Sequence, residues 1–183
     1  MDWKVMLIVL LSYSLGSLTG AFYIAKWMIG KDIRKLGSGN VGARNAGRQL
    51  GKKGFMYTLL IDVVKVMIAL SITTILFPED DIMLLISTFF LLIGHIWPVQ
   101  LGFKGGKGVV VFLAATLYCL PLAIAVLGIC VGIGYLLIRN FQIIGLVSMT
   151  SIPITAWILE ETDLAIGLLL LLIVVIIPHI IKK

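Results

Sequence analysis

The sequence predicts an all-α integral membrane protein with about seven transmembrane helices, and three observations support this fold class. Hydrophobic residues make up 60% of the 183 residues, whereas a soluble domain is about 45–50% apolar. The mean hydropathy is +1.12. Charged residues make up only 13% of the chain, and they cluster at the ends of long apolar runs, which is typical of runs that cross a bilayer.

Five apolar runs have a suitable length for a bilayer core about 30 Å thick, which takes roughly 20 helical residues to cross. They are Trp3–Ala25, Phe55–Phe77, Ile82–Trp97, Phe141–Leu159 and Leu164–His179. A sixth run, Val109–Ile138, has 30 residues, and it would be about 45 Å long as a single helix. Because this is too long for one crossing without a steep tilt, we predict a turn near Pro121 and seven helices.

Charge placement also favours seven helices over six. With the N-terminus outside, seven helices place thirteen of the fifteen basic residues inside and seven of the nine acidic residues outside. Six helices would place Arg139, Lys182 and Lys183 outside and the acidic Glu160–Asp163 loop inside. Short cytoplasmic loops are rich in Lys and Arg, so we predict a cytoplasmic C-terminus. The net charge of +6 then follows from topology, and no nucleic-acid partner is predicted.

We expect one multi-helix transmembrane domain over residues 1–183, with polar cytoplasmic loops at 26–54 and 98–108. The N-terminal run is expected to be retained, because no small-residue cleavage site of a signal peptide follows it. A helix from Val109 to about Leu120 would rise only roughly 18 Å. The second loop is therefore expected to lie below the membrane surface and to line a polar cavity.

Two charged residues interrupt the second predicted helix. Asp62 and Lys65 lie three residues apart on one helix face. A charge in a transmembrane helix costs about 2.5–3.5 kcal/mol on insertion scales, and pairing at this spacing reduces that cost. Two interpretations stay open, a functional site and a buried pair that fixes helix packing.

The first polar loop contains the segment GSGNVGARNAGR, from Gly37 to Arg48. Its glycines allow backbone N–H groups to converge on one point, and such concavities bind anions. Arginine side chains add planar charged groups suited to phosphate. We therefore predict a site for a phosphate-bearing ligand, with a flexible basic loop on lipid headgroups as the alternative. The residues expected to bind this ligand are Gly37, Gly39, Asn40, Gly42, Arg44 and Asn45.

Ser38, within the same segment, is expected to act as a hydrogen-bond donor. The G-x-S-x-G pattern of a nucleophilic serine is absent, because position 36 is Leu. A role as nucleophile is therefore not predicted.

The second loop has the sequence GFKGGKG from Gly102 to Gly108. It is not a Walker A loop, because its spacing is shorter and Gly108 replaces the Ser or Thr that would hold Mg²⁺. It still leads a glycine-rich basic turn into a helix N-terminus, where free N–H groups and the helix dipole favour an anion. The residues expected to bind phosphate here are Lys104, Gly105, Gly106, Lys107 and Gly108. For the nearby His95, a general base and a packed histidine both stay open.

The two loops together resemble the bacterial acyl-phosphate:glycerol-3-phosphate acyltransferases of the PlsY type. That family carries G-S-G-N-x-G-A-T-N-x-x-R, which is matched from Gly37 to Arg48 except at Arg44. It also carries G-H-x-x-P-V followed by F-K-G-G-K-G-V. These segments are matched at Gly94–Val99 and Phe103–Val109.

The chain departs from the family pattern at two further places. Val110 and Val111 stand where the family has Ala-Thr after the second motif. The third family motif, H-x-x-N, is matched at His179, but Lys182 occupies the Asn position. Lys182 could replace the Asn as a donor without reproducing its geometry.

The resemblance implies a multi-pass protein of the bacterial cell membrane, with seven helices and an active site facing the cytoplasm. It implies transfer of a fatty acyl group from acyl phosphate to glycerol 3-phosphate, with no metal or cofactor and with membrane lipid as the surroundings. It gives Ser38, Arg48, Lys107 and His179 as the catalytic residues. A non-catalytic relative that binds phospholipid precursors or a lipid-synthesis partner, and a small transporter, are the alternatives. The general base and the substrate held by each loop stay open.

Overall fold

The computed structural model describes residues 2–181, and within this range the chain is helical with no strands. Its α-helices, in chain order, are α1 Trp3–Ser17, α2 Gly20–Ile29, α3 Ala43–Leu76, α4 Asp81–Ile96, α5 Val109–Cys119, α6 Pro121–Ile138, α7 Phe141–Ser148, α8 Ser151–Ile158 and α9 Thr162–Ile181. Short 3₁₀ turns lie at Ile33–Lys35 and Val99–Leu101. The all-helical prediction is confirmed.

The helices of the described range form seven apolar units. Six of these units are long and apolar enough to cross a membrane. Counted along all seven units, α1 and α2 together form the first, and α7 and α8 together form the sixth. The remaining unit is α5, a shorter apolar helix of 11 residues. The turn predicted near Pro121 is confirmed, because α6 begins at Pro121, where the missing N–H of proline costs no helical hydrogen bond.

The segment 26–54, expected to be a polar loop, is helical at both ends in the structure. Helix α2 continues to Ile29, and α3 already begins at Ala43. The helical period explains this start, because Ala43 and Ala46 are buried whereas Arg44 and Arg48 on the opposite face are exposed. The chain leaves the helical conformation at Gly51, where φ is 74° and ψ is −169°. Gly51 thus separates a short basic amphipathic segment, residues 43–50, from the membrane span.

Helices α1 and α4 pack closely because glycines face backbone atoms at their interface. Gly16 lies against the carbonyl group of Leu91, and Gly94 lies against that of Tyr13. Small residues of this kind let two transmembrane helices approach each other. The hydroxyl group of Tyr13 then donates to the carbonyl oxygen of Trp97 at 3.0 Å. This contact fixes the chain as it enters the second loop.

The alternation of the seven units determines which parts of the chain meet. The first and third units end at the two motif-bearing segments, and the seventh ends near His179. Because successive antiparallel units end on opposite sides, these three regions lie on the same side of the bundle. The fold therefore brings all three motif regions to one end.

Candidate functional site

A buried ion pair lies beneath this end of the bundle, at the break between α1 and α2. Asp62 and Lys65 are 1% and 3% exposed, and Lys65 Nζ lies 2.8 Å from Asp62 Oδ1. Lys65 also donates to the carbonyl oxygens of Gly16 and Leu18, both at 3.0 Å. Asp62 accepts from the N–H group of Gly20 at 3.3 Å. The cation thus binds the C-terminal end of α1 and the anion binds the N-terminal end of α2, as the helix dipoles favour.

His95 connects this ion pair to the second loop. Its side chain is 3% exposed, and its Nδ1 atom lies 2.9 Å from Lys65 Nζ. The other edge of the ring lies against Gly106, where a methyl group would overlap Nε2. The same methyl group would lie 2.7 Å from the carbonyl oxygen of Val41, in the first loop. Gly106 is therefore the point at which the two loops and His95 meet.

The glycines of the second loop serve mainly to bring its backbone close to α4. The N–H group of Gly105 donates to the carbonyl oxygen of Ile96 at 3.1 Å, and that of Gly106 donates to His95 at 3.0 Å. These two N–H groups are thus engaged within the protein. Glycine at both positions permits close packing, since side chains there would overlap α4. Phosphate binding by Gly105 and Gly106 stays a prediction.

Donors for an anion are found at the next residues. Gly108 has a φ of +83° and precedes α5, and the first hydrogen bond of that helix runs from the N–H of Phe112 to the carbonyl oxygen of Gly108 at 2.9 Å. The N–H groups of residues 109–111, in the first turn of α5, have no intrahelical acceptor. Lys107 is half-buried beside them, whereas Lys104 is exposed. Burial lowers the pKa of Lys107 below the usual value of lysine.

The first loop is organised by Asn45, which extends from the first turn of α3. Its Oδ1 atom accepts from the N–H of Ser38 at 3.2 Å. Its Nδ2 atom donates to the carbonyl oxygens of Leu36 and Asn40, both at 3.0 Å. Asn45 is 2% exposed. These contacts give Asn45 a supporting role in the loop, and its direct contact with a ligand stays a prediction.

The loop held by Asn45 presents several polar groups. Gly37 and Gly39 have φ angles of 55° and 70°, which is the left-handed region that favours glycine. Ser38 between them is exposed. The Oδ1 atom of Asn40, next to Gly42, is buried and has no hydrogen-bond partner among the described residues. This carboxamide is suited to accept a hydrogen bond from a ligand hydroxyl group.

Two exposed arginines project from the same side of the segment 43–50. Arg44 and Arg48 are four residues apart in α3, so their side chains share one helix face. Their guanidinium groups suit a phosphate near the helix start. The sequence analysis places this pair on a loop, whereas the structure places it in α3; its contact with phosphate stays a prediction.

Arg34 joins the two loops, a contact that the sequence analysis missed. Its Nη1 atom donates to the carbonyl oxygen of Leu101 at 2.6 Å, and its Nη2 atom lies 2.7 Å from Asp32 Oδ2. The hydrogen bond from this guanidinium lowers the pKa of Asp32 to about 2. Arg34 is therefore occupied by internal partners. The only available signal was that Asp32 is the sole acidic residue of residues 26–54.

His179 brings the end of α9 to the site. Its Nδ1 atom lies 2.9 Å from the carbonyl oxygen of Val175. Because a carbonyl oxygen only accepts, Nδ1 carries the proton and Nε2 of the neutral ring is unprotonated. His179 interacts electrostatically with Lys107. Lys182, expected to replace the Asn of the third motif, lies outside the described residues.

An apolar groove opens beside the N-terminus of α5, with a volume of about 210 Å³. The residues that line it come from α3, α5 and α6, namely Leu59, Val63, Val110, Leu113, Ala114, Leu117, Ile124 and Leu127. Val110 is the second residue of α5. The groove therefore begins next to the helix end that is suited to an anion.

Comparison with known proteins identifies relatives along almost the whole chain. Residues 6–182 match the glycerol-3-phosphate acyltransferase family. A glycerol-3-phosphate acyltransferase 1 from Bacillus thuringiensis subsp. konkukian is 36% identical over 172 residues, covering 92% of each chain. A protein of the same name from Desulfitobacterium hafniense is 38% identical over 178 residues, covering 92% of this chain and 83% of its own.

Two crystal structures of PlsY (YgiH), an integral membrane glycerol 3-phosphate acyltransferase, have the same fold. The glycerol 3-phosphate form has a TM-score of 0.86 and 29% identity, covering 96% of this chain and 88% of its own. The lysophosphatidic acid form has a TM-score of 0.84 and 28% identity, covering 96% and 87%. The chain is thus a multi-pass membrane protein, and it belongs to the glycerol-3-phosphate acyltransferase family.

Proposed function

We propose that this protein is an enzyme that transfers a fatty acyl group from acyl phosphate to the 1-hydroxyl group of glycerol 3-phosphate, at the cytoplasmic face of a bacterial cell membrane. The products are lysophosphatidic acid and phosphate. The observation that carries the proposal is the meeting of both basic loops and the end of α9 at one end of the bundle, beside an apolar groove. Family membership supports the same reaction.

The proposed reaction needs positioning more than nucleophilic catalysis. An acyl phosphate is a mixed anhydride, so its carbonyl carbon is already activated. The hydroxyl oxygen attacks this carbon, the bond between the carbonyl carbon and the phosphate oxygen breaks, and the hydroxyl proton passes to a phosphate oxygen. The protein must hold two phosphates, bring the reacting atoms to about 3 Å and stabilise the oxyanion.

The groove suggests which loop holds which substrate. With its acyl chain against Val110 and the rest of the groove, acyl phosphate would place its phosphate at the N-terminus of α5 and Lys107. Glycerol 3-phosphate would then bind the first loop, where Arg48 and Arg44 suit its phosphate and Asn40 suits a hydroxyl group. Ser38 would donate a hydrogen bond in the same loop. His179 would contact the phosphate bound near Lys107.

The direct test is lysophosphatidic acid formation by the purified protein, given palmitoyl phosphate and glycerol 3-phosphate. Ser38→Ala serves as the control, because the exposed hydroxyl group can be removed without disturbing the core. Product from the wild type and none from the variant supports the proposal. If folded wild-type protein binds glycerol 3-phosphate without making product, a non-catalytic binding function replaces it.

Replacing Lys107 with alanine is expected to raise the KM for acyl phosphate more than it lowers kcat, because the ammonium group binds the phosphate already in the ground state. Exposed Lys104, replaced by alanine, is the matched control with a smaller expected effect. Initial rates over a range of each substrate concentration measure both constants. An unchanged KM with a lost kcat would assign Lys107 to the transition state instead.

The binding of acyl phosphate at Lys107 is expected to weaken as pH rises. Burial lowers the pKa of Lys107, so its charge is present at low pH and is lost as pH rises through that lowered value. The KM for acyl phosphate is therefore expected to rise at alkaline pH. Lys107→Arg should remove this rise, because a guanidinium stays charged. A rise that persists in Lys107→Arg would show that another group causes it.

Replacing Leu117 with tryptophan is expected to shorten the preferred acyl chain. Leu117 lines the groove about two helical turns beyond Val110, and it is 46% exposed, so a larger ring can enter the groove without overpacking the core. We expect the ratio of kcat/KM for palmitoyl phosphate to that for octanoyl phosphate to fall about tenfold. Leu136→Trp, at a position 78% exposed on α6, is the matched control. An unchanged ratio would exclude the groove as the acyl site.

A further inference from the structure

We propose that Lys65 is a positioning residue for the second loop: its buried ammonium group fixes the tautomer of His95, and the Nε2–H edge of that ring holds Gly106 in place. The contacts among Lys65, His95 and Gly106 support this inference. The expected effect on turnover rests on the proposed acyl transfer, whereas the expected tautomer of His95 does not.

The hydrogen-bonding capacity of lysine determines the tautomer. A lysine ammonium group donates and cannot accept, and Lys65 Nζ lies 2.9 Å from His95 Nδ1. With Lys65 charged, His95 Nδ1 is the acceptor and the proton of the neutral ring lies on Nε2. The three N–H bonds of the ammonium group are then shared among four acceptors. The nearest carboxylate oxygen, Asp62 Oδ1, is farther from Nδ1, at 3.8 Å. It binds the ammonium group instead, at 2.8 Å.

The position of Lys65 is fixed independently of His95. Its ammonium group also donates to the carbonyl oxygens of Gly16 and Leu18, both at 3.0 Å. These carbonyl groups belong to the break in the first span, where the helix cannot supply their donors. The break thus holds the ammonium group in place, and the ammonium group in turn orients the ring.

The protonated edge of His95 faces a crowded part of the second loop. Gly106 lies against Nε2 so closely that a methyl group would overlap it. The N–H group of Gly106 donates to the carbonyl oxygen of His95 at 3.0 Å. His95, in α4, thus fixes Gly106 through both the His95 ring and the His95 backbone. Lys107 follows directly in sequence, so its placement depends on this contact.

The tautomer can be measured by ¹⁵N NMR of detergent-solubilised protein labelled at histidine. The chain has two histidines, and His179→Gln assigns the remaining signals to His95. In the wild type we expect an unprotonated Nδ1 and a protonated Nε2. The test variant is Asp62→Asn/Lys65→Met, which removes both charges together because a single removal would leave a buried charge unpaired. In this variant the ring should no longer hold that single tautomer.

The same variant should lower kcat/KM for acyl transfer by about 100-fold, as expected for a displaced binding loop. Ser87→Ala is the matched control, since it breaks a buried 2.8 Å contact with Ser12 between α1 and α4 and leaves the second loop untouched. Rates close to wild type are expected from this control. An unchanged His95 spectrum, or an unchanged kcat/KM in an active enzyme, would overturn the proposal.

A second pair of variants keeps the test decisive even if the charge-free variant does not fold. His95→Gln places an amide N–H near the position of Nε2, whereas His95→Asn places an amide oxygen near that of Nδ1. The proposal expects His95→Gln to retain more activity than His95→Asn, because the contact with Gly106 is the one that matters. The reverse order would overturn it. If the wild type makes no lysophosphatidic acid, the proposed function fails, and the NMR measurement alone decides the role of Lys65.

Discussion

Replacing Arg48 with alanine is expected to lower kcat/KM for lysophosphatidic acid formation by about 10²–10³-fold, comparable to the loss of one preorganised donor in other active sites. Arg48 is exposed on the segment 43–50 and contributes no core packing. The variant should therefore fold like the wild type. Initial rates with palmitoyl phosphate and glycerol 3-phosphate, together with the thermal unfolding midpoint, measure both parts of this expectation.

Two further variants test whether the planar guanidinium group and the position of Arg48 are both required. Arg48→Lys keeps the positive charge but loses the planar fork that binds phosphate through two hydrogen bonds, so an intermediate rate is expected. Lys53→Ala removes an exposed basic residue from the same helix and should leave the rate unchanged. Wild-type rates in Arg48→Ala would remove the first loop from phosphate binding.

The second large effect is expected from Gly106→Ala. The added methyl group would overlap the ring of His95 and approach the carbonyl oxygen of Val41 to 2.7 Å. The two loops would have to separate, so we expect kcat/KM to fall by about 100-fold. Overpacking of this kind costs about 1–3 kcal/mol of stability, which thermal unfolding in detergent would detect.

A glycine in open surroundings provides the control for Gly106. Gly128 lies within α6, and an added Cβ atom meets nothing within 4 Å. Gly128→Ala should therefore leave both the rate and the unfolding midpoint unchanged. If Gly106→Ala behaved in the same way, the close contact between the loops would not be required for turnover.

Most of the transmembrane architecture could be predicted from local sequence properties. The length of the run Val109–Ile138 required a break, and Pro121 supplied the residue at which a helix starts easily. Hydropathy and the charges at helix ends determined the remaining spans. These signals act within one segment or at its ends, so they can be interpreted without knowing which helices are neighbours.

The start of α3 was missed because composition and periodicity gave conflicting signals. The glycines between Gly37 and Gly47 favour a loop, yet the buried positions Ala43 and Ala46 follow a helical period.

The hydropathy of the first span predicts an unbroken helix over Trp3–Ala25, whereas the chain leaves the helical conformation between Ser17 and Gly20. The partners of this break, Asp62 and Lys65, lie more than forty residues away in sequence.

The residue types of the candidate site can be read from the sequence, but the hydrogen-bond partners of these residues cannot. The motifs predict ligand contacts at Asn45 and Gly106, whereas in the structure the Asn45 carboxamide and the Gly106 N–H group are hydrogen-bonded within the protein. The link between Lys65 and His95 joins two helices across 30 residues. No local pattern signals such a contact, because it exists only once the third unit packs against the second.

The shortness of α5 has a consequence for how the enzyme meets its lipid substrate. Eleven residues rise only about 16 Å, about half of a 30 Å bilayer core, so α5 is too short to reach both membrane surfaces. If acyl phosphate is the donor, as proposed above, it would enter sideways from one leaflet and its chain would not cross water. The concentration that governs the reaction would then be its mole fraction in the bilayer. Diluting the membrane with inert lipid should slow turnover, whereas diluting the whole vesicle suspension should not.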